Sequence, residues 1–203
     1  MISIKFLTHS LLLENIYYII KKGAVVPKKR YQYMKYRVFG LSINGSYAYF
    51  ANSYIAHVVF PAKIVSRYSI KPVLYTNYEI TRTMIPSRDR SVYYYNSKLA
   101  FEMELVSESA IPLYEAEAVY VSRYAIHSDL IDKLKKFCRE HGIPVEYGTP
   151  IDEETFRMAR KLLNGDSKTI DQYNRTVCQC FNVDYRIPSE EEMIELLRYW
   201  KAW

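Results

Sequence analysis

The stretch "YEAEAVYVSRYAIHSDL", residues 114–130, decides the fold, because it joins a β-prone run to two glutamates at its start. Glu115 and Glu117 are two residues apart, so on a strand they lie on the same face. Like charges on one face repel each other, and neither suits a hydrophobic core. If the alanines that follow each glutamate face inward, the two carboxylates lie either on a solvated surface or along a cleft. The rest of the chain has to decide between these two.

The length and composition are those of a globular protein. The chain has 203 residues, of which 49% are hydrophobic and 25% charged, and this suits one domain or a domain with a small appendage. The unusual feature is the number of tyrosines, 21, spread through the chain. Tyrosine stacks on planar ligands and bases, but it is equally a general-purpose strand residue.

The charge distribution favours an anionic partner. The formal net charge is +6, and residues 21–37 contain lysines, arginines and tyrosines but no acid. A basic segment interleaved with aromatic rings is typical of a nucleic-acid surface, although a solvated basic loop has the same composition. Within this segment we expect nucleic acid to contact Lys28, Lys29 and Arg30.

The cysteines and the N-terminal residues predict a reduced, cytoplasmic protein. Cys138 lies in a helical pattern, and Cys178 and Cys180 lack the spacing of a zinc site, so we predict no metal and no disulfide. The apolar start of the chain contains His9 and Glu14 and lacks a cleavage site, which argues against a signal peptide. No run is long enough to span a membrane, and we predict no membrane partner.

The order of elements predicts an α+β fold, a mostly antiparallel sheet with flanking helices. The predicted strands include residues 2–8, 99–106 and 114–121. The predicted helices are one capped by Ser10 and ended by Gly23, one over 128–142, one over 152–165, and a last one after Ser189 with Glu192 completing a capping box. We expect residues 1–150 to form the main domain, with 151–203 as a helical segment packed on it.

Several familiar catalytic motifs are absent. The chain has no phosphate-binding loop, no glycine-rich dinucleotide fingerprint and no Gly-x-Ser-x-Gly elbow. What remains are isolated polar residues near strand ends: His9, then Tyr47, Tyr49 and Ser53, then Glu117. Each one alone is more often structural or exposed than functional.

Three stretches, taken in this order, resemble the DarT family of toxins, which transfer ADP-ribose from NAD to bases in single-stranded DNA. "LTHSLLLENIYYIIKKG" resembles the opening of the family, with a His ending the first strand, although the distance from His9 to Asn15 is about one helical turn longer than in the family. "SYAYFANS" resembles its aromatic strand followed by Ser, and "YEAEAVYV" resembles the strand that carries the catalytic Glu. The resemblance covers roughly residues 5–147.

The resemblance implies an ADP-ribosyltransferase-like split, mostly antiparallel sheet over residues 1–150, and NAD as the ADP-ribose donor. It implies Glu117 as the catalytic residue, with Arg37 as the functional arginine and Arg30 as the second choice. NAD would be bound by His9, Ser10, Tyr47, Tyr49 and Ser53. The family also implies single-stranded DNA as acceptor and an antitoxin or another protein as a possible partner.

The chemistry of such a reaction needs few groups. Cleavage of the bond between nicotinamide and ribose passes through an oxocarbenium-like state, which one carboxylate at the ribose can stabilise. The loop "SRDRSVYYYNSK" precedes the strands that lead to Glu117, and its residues Arg88, Arg90 and Tyr94 suit a stacked, phosphate-bearing acceptor. An exposed hairpin loop would have the same sequence.

Two other functions are compatible with the sequence. One is a transferase of the same fold that modifies protein or RNA. The other is a basic, tyrosine-rich nucleic-acid-binding protein of viral or mobile-element origin that catalyses nothing.

Overall fold

The structure, a computed structural model, describes residues 2–28, 36–47, 55–78, 84–96, 103–125, 128–164 and 166–200. Within these ranges nine strands form one sheet, in the order β11-β10-β4-β1-β3-β8-β5-β7-β6, and β2 pairs with β9 apart from it. The strands are β1 Phe6–Leu11, β2 Ala24–Val25, β3 Phe39–Ile43, β4 Ala56–Pro61, β5 Ile70–Thr76, β6 Met84–Pro86, β7 Tyr93–Asn96, β8 Glu104–Ser107, β9 Ile111–Pro112, β10 Ala118–Val121 and β11 Val145–Tyr147. In the nine-stranded sheet only the pairs β10/β11 and β5/β7 are parallel.

Five helices of the described residues flank the sheet: α1 Leu13–Lys22, α2 Asp129–Glu140, α3 Glu153–Leu163, α4 Ser167–Phe181 and α5 Glu190–Trp200. The prediction of an α+β fold with a largely antiparallel sheet is therefore confirmed. No helix among these is long and apolar enough to cross a membrane. The three cysteines are free thiols.

Helix ends follow the local chemistry of the sequence. Gly23 ends α1 in the left-handed conformation, with φ 59°. Glycine adopts this conformation with the least steric strain because it has no Cβ atom. Asp152 caps α3 by accepting a hydrogen bond from the Thr155 amide at 3.0 Å. Ser189 and Glu192 form the predicted capping box before α5, with the Ser189 amide 2.8 Å from the Glu192 carboxylate.

Two local predictions at the start of the chain are wrong. The first strand covers 6–11 rather than 2–8, so His9 and Ser10 lie within it. Ser10 does not cap α1, which begins at Leu13, because its hydroxyl is bonded to His57 on the neighbouring strand instead. The β-like first half of the stretch 46–61 falls largely outside the described residues, and β4 forms from its second half.

The hydrophobic core connects the sheet with helices from residues 1–150 and with helices from residues 151–203. Ile16 of α1 and Leu134 of α2 are fully buried in the same apolar cluster as Leu162 of α3, Tyr173 of α4 and Leu197 of α5. The C-terminal helices therefore bury part of the same core as the first 150 residues.

Candidate cleft between β1 and β3

A cleft opens in the middle of the sheet because β1 and β3 diverge. β1 pairs with β4 through all six of its residues, but with β3 only through Leu7↔Ile43 and Thr8↔Ser42. Past Thr8 the ring of His9 spans the gap, with Nδ1 2.8 Å from the Gly40 carbonyl oxygen. A carbonyl oxygen only accepts, so Nδ1 carries the proton, and Nε2 is the acceptor of the neutral ring.

The cleft encloses about 190 Å³. The β1 side contributes Thr8, His9 and Ser10, and the opposite side contributes Ser42 of β3 and Glu104 of β8. The hydroxyls of Thr8 and Ser42 share a hydrogen bond of 2.6 Å at the point where the two strands separate. The cleft is therefore lined by hydroxyl, imidazole and carboxylate groups on a rigid sheet.

The entrance of the cleft carries an amide, a cation and an aromatic ring. Asn15 from the first turns of α1, Lys28 and the half-buried Tyr47 line it. The Lys28 ammonium donates to the Asn15 side-chain oxygen at 3.3 Å. Lys28 is exposed, so its charge faces the solvent beside the opening and suits an anionic group there.

Ser10 is held by a buried histidine. The Ser10 hydroxyl lies 3.0 Å from Nδ1 of His57, a residue of β4 that is only 2% exposed. The pKa of His57 is lowered to about 4, mainly by burial, with a smaller electrostatic contribution from His9 in the same direction. His57 is therefore neutral near pH 7 and orients the Ser10 hydroxyl that faces the cleft.

The two glutamates of the opening stretch have different environments, and neither lies in the cleft wall. Glu115 pairs with Arg67 at 3.0 Å and accepts a hydrogen bond from the Tyr68 hydroxyl at 3.2 Å. Glu117 is exposed, and its amide donates to the Val59 carbonyl at 2.9 Å just before β10. The repulsion between them is thus relieved by an arginine on one side and by solvent on the other.

The position of Glu117 follows from the strand register. Ala118 pairs with Val59, so Glu117 lies level with Phe60 and, one strand further, with Leu7. Glu117 is thus two strand spacings, about 10 Å, across the sheet from β1 and two residues short of the level of His9. Phe60 and Leu7, which lie at this level between Glu117 and β3, are fully buried. The catalytic role of Glu117 stays a prediction.

Other predicted site residues lie outside the cleft. Arg37 is exposed and is absent from the wall, although its neighbour Val38 lines it. Tyr49, Ser53, Lys29 and Arg30 lie outside the described residues. Of the predicted NAD and nucleic-acid residues, the structure brings His9, Ser10, Tyr47 and Lys28 together.

The stretch predicted to bind the acceptor contains β7 and the residues just before it. β7 lies two strand spacings, about 10 Å, from β8, which is the nearest strand that lines the cleft. Arg90 forms an ion pair with Glu108 at 3.0 Å. The guanidinium carbon of the exposed Arg88 lies 5.7 Å from the centre of the Tyr199 ring. Tyr94 is 6% exposed in this structure, and its role at an acceptor stays a prediction.

Glu104 is the residue that reasoning from sequence missed. It is 5% exposed and is the one carboxylate that lines the cleft among the described residues. The alternation in "FEMEL" did place Glu104 on the face opposite Met103 and Leu105, but it did not show that this face is covered.

Comparisons with known proteins give two structural similarities. DarT from Thermus sp. 2.9 in complex with NAD+ matches at 10% sequence identity and a TM-score of 0.40, over 72% of this chain and 96% of that chain. The same protein in complex with carba-NAD+ matches at 12% identity and a TM-score of 0.39, over 77% of this chain and 100% of that chain. Both belong to the family whose motifs the sequence resembles.

No protein-family model matches the chain. A search of curated proteins also finds no match. With similarities this low, function has to be argued from the residues of the cleft.

Proposed function

We propose that this protein is an NAD-dependent ADP-ribosyltransferase that modifies a nucleic-acid base, with single-stranded DNA as the expected acceptor. The observation that carries the proposal is the meeting of His9, Ser10 and Tyr47 in one cleft. The resemblance to the DarT family implies that these three residues bind NAD. The family resemblance and the net charge of +6 support the choice of donor and acceptor.

The cleft has groups that suit NAD. A volume of about 190 Å³ is below the usual range for whole cofactors, so it suits one nucleoside half of the molecule. The pyrophosphate would then lie at the entrance, beside the Lys28 ammonium and the Asn15 amide. The Ser10 hydroxyl and the Nε2 acceptor of His9 would hydrogen-bond the half that enters the cleft.

The reaction requires one carboxylate near the ribose. Nicotinamide leaves with the electron pair of its glycosidic bond, a nitrogen or oxygen of the base bonds to C1′, and the base gives up a proton. The resemblance assigns the carboxylate to Glu117, while the cleft itself contains Glu104. If Glu117 is the carboxylate at the ribose, Glu117→Gln loses transferase activity. If Glu104 is that carboxylate, Glu104→Gln loses it instead.

The experiment is mass spectrometry of a short single-stranded DNA after incubation with NAD and the protein. We expect a mass gain of one ADP-ribose on the DNA. The variants are Glu117→Gln and, as a matched control, Glu146→Gln, which alters an exposed glutamate on the neighbouring strand β11. If Glu117 acts as the resemblance implies, Glu117→Gln binds NAD but transfers nothing, and Glu146→Gln retains full activity.

Two outcomes would redirect the proposal. Consumption of NAD without modified DNA would keep the transferase and point to an RNA or protein acceptor. Full activity of Glu117→Gln would remove that residue from the reaction and leave the transferase in place.

A second candidate is a nucleic-acid-binding protein without catalysis. It is favoured by one observation, the exposure of Glu117 away from the cleft. This alternative expects DNA binding that weakens with salt, because basic side chains displace counterions from the phosphates. It also expects no NAD consumption by the unmodified protein, which separates it from the first candidate.

A further inference from the structure

Glu104 occupies an unusual position for a carboxylate. It lies near the middle of the sheet on β8, opposite Ser42 of β3, and 5% of it is exposed. Burying a charged group is costly unless something in the site compensates for it. The wall of the cleft contains Glu104 and also Gly40, beside which Oε1 of Glu104 lies. A ligand in the cleft therefore lies beside this carboxylate.

Gly40 makes room for this carboxylate. A Cβ atom built on Gly40 would lie 1.8 Å from Oε1 of Glu104, so any side chain there would displace it. The carbonyl of the same glycine accepts the hydrogen bond from Nδ1 of His9 at 2.8 Å. Gly40 thus accepts a hydrogen bond from the His9 imidazole through its carbonyl and leaves space beside its Cα for the Glu104 carboxylate. These two contacts fix the positions of the imidazole and the carboxylate relative to each other.

The backbone around Glu104 is also constrained. Its amide donates to the hydroxyl of Tyr75 at 3.1 Å, and Tyr75 is 1% exposed. The preceding Met103 has a φ of 43°, in the left-handed region that a side chain disfavours. Backbone strain of this kind persists where the surroundings impose it, and it concentrates at binding sites.

We infer that Glu104 accepts a hydrogen bond from a ribose hydroxyl of the nucleotide in the cleft. A carboxylate oxygen is a hydrogen-bond acceptor, and a ribose hydroxyl is a donor. Acidic residues serve the same purpose in dinucleotide-binding folds, where they accept from the 2′-hydroxyl. The inference rests on the proposed function, because NAD is the ribose-containing ligand that the cleft is proposed to take.

The experiment measures the dissociation constants of NAD and of its 2′-deoxy analogue by isothermal titration calorimetry. For the unmodified chain we expect the analogue to bind at least about 10-fold more weakly, the usual effect of losing a hydrogen bond to a charged group. Glu104→Gln should weaken NAD binding by a similar factor and bind NAD and the analogue nearly equally. Gly40→Ala keeps the charge but displaces it, so the same preference for NAD should disappear.

Glu146→Gln, which alters an exposed glutamate of β11, serves as the control and should keep the preference for NAD over the analogue. Equal binding of NAD by the unmodified chain and by Glu104→Gln would overturn the inference and leave the transferase standing. Absence of NAD binding by the unmodified chain would overturn both. The comparison of the two ligands on the unmodified chain needs no variant, so equal affinities there overturn the inference even if neither variant folds.

Discussion

The buried His57 makes the stability of the protein sensitive to pH. In the folded chain burial lowers its pKa to about 4, whereas an unfolded chain has a histidine pKa near 6.5. Between these values the unfolded state binds the proton and the folded state does not. Folding stability therefore rises with pH across this window and falls as pH decreases from 6.5 towards 4.

We expect the free energy of unfolding to fall by about 2 kcal/mol between pH 7 and pH 5 because of His57. Urea unfolding at the two pH values measures this loss. His57→Gln should remove most of the difference, while His141→Gln, at an exposed position, should leave it unchanged. An unchanged pH dependence in His57→Gln would show that carboxylates and not this histidine are responsible.

Sequence reasoning found some of the cleft residues and missed others for a physical reason. His9, Ser10 and Tyr47 were identified from motifs that lie close together in the chain or at strand ends. Glu104 has no such motif, because one glutamate in an alternating strand is compatible with a solvated face. Its burial depends on Gly40 and Tyr75, which are distant in sequence, so only the assembled sheet reveals it.

At the scale of elements, the capping box before α5 is the most direct case of sequence specifying structure. The Ser189 hydroxyl accepts from the Glu192 amide at 3.3 Å, and the Glu192 carboxylate accepts from the Ser189 amide at 2.8 Å. These bonds satisfy amides that the helix itself leaves without partners.

Ser189→Ala removes one of these bonds and should lower the free energy of unfolding by about 1 kcal/mol. Chemical denaturation followed by circular dichroism measures the change. Ser189→Asp keeps an acceptor at the cap and should remain close to the unmodified protein. A loss as large in Ser189→Asp as in Ser189→Ala would show that capping is not the cause.

Helices with a clear cap and an apolar stripe were predictable, and α4 was not. Its sequence "SKTIDQYNRTVCQCF" has a regular helical spacing of buried residues, but threonine and asparagine stand among them, so residue types alone do not reveal the buried stripe. Thr169 and Asn174 are buried on the same face as Ile170 and Val177. Tertiary contacts stabilise this helix more than its own propensity does, and such contacts are not visible in a single sequence.

At the scale of the molecule, Asn174 ties α4 to the central sheet. Its side-chain oxygen accepts from the Tyr75 amide at 3.0 Å, and its nitrogen donates to the Tyr75 carbonyl at 2.9 Å. The asparagine amide thus pairs with β5 as a neighbouring strand would, in a region where both residues are buried.

Asn174→Ala leaves both backbone groups of Tyr75 without these partners and should cost about 3 kcal/mol of stability. The midpoint of urea unfolding measures the loss. Gln172→Ala on the exposed face of the same helix is the matched control, and it should change stability by less than about 0.5 kcal/mol. Similar effects of the two substitutions would mean that the contact with β5 contributes little.

The strand order was less predictable than the strands. Several strands can be identified from local alternation, but the neighbours of β5 are β8 and β7, and its pairing with β7 is parallel. Such pairings are decided by how the helices cover the two faces and by packing between distant segments. The fold class followed from composition and element order, while the place where the sheet opens did not.

The central position of β1 has a consequence for how the protein is made. β1 is synthesised before β3 and β4, so neither of its edges is paired until these two strands follow. The imidazole side of the cleft can then assemble early, whereas its carboxylate side arrives only with β8, much later in synthesis. Contacts between such distant segments slow folding, because the entropy cost of closing a long loop is paid before the contacts themselves contribute stability. The cleft therefore stays incomplete until β8 has been synthesised.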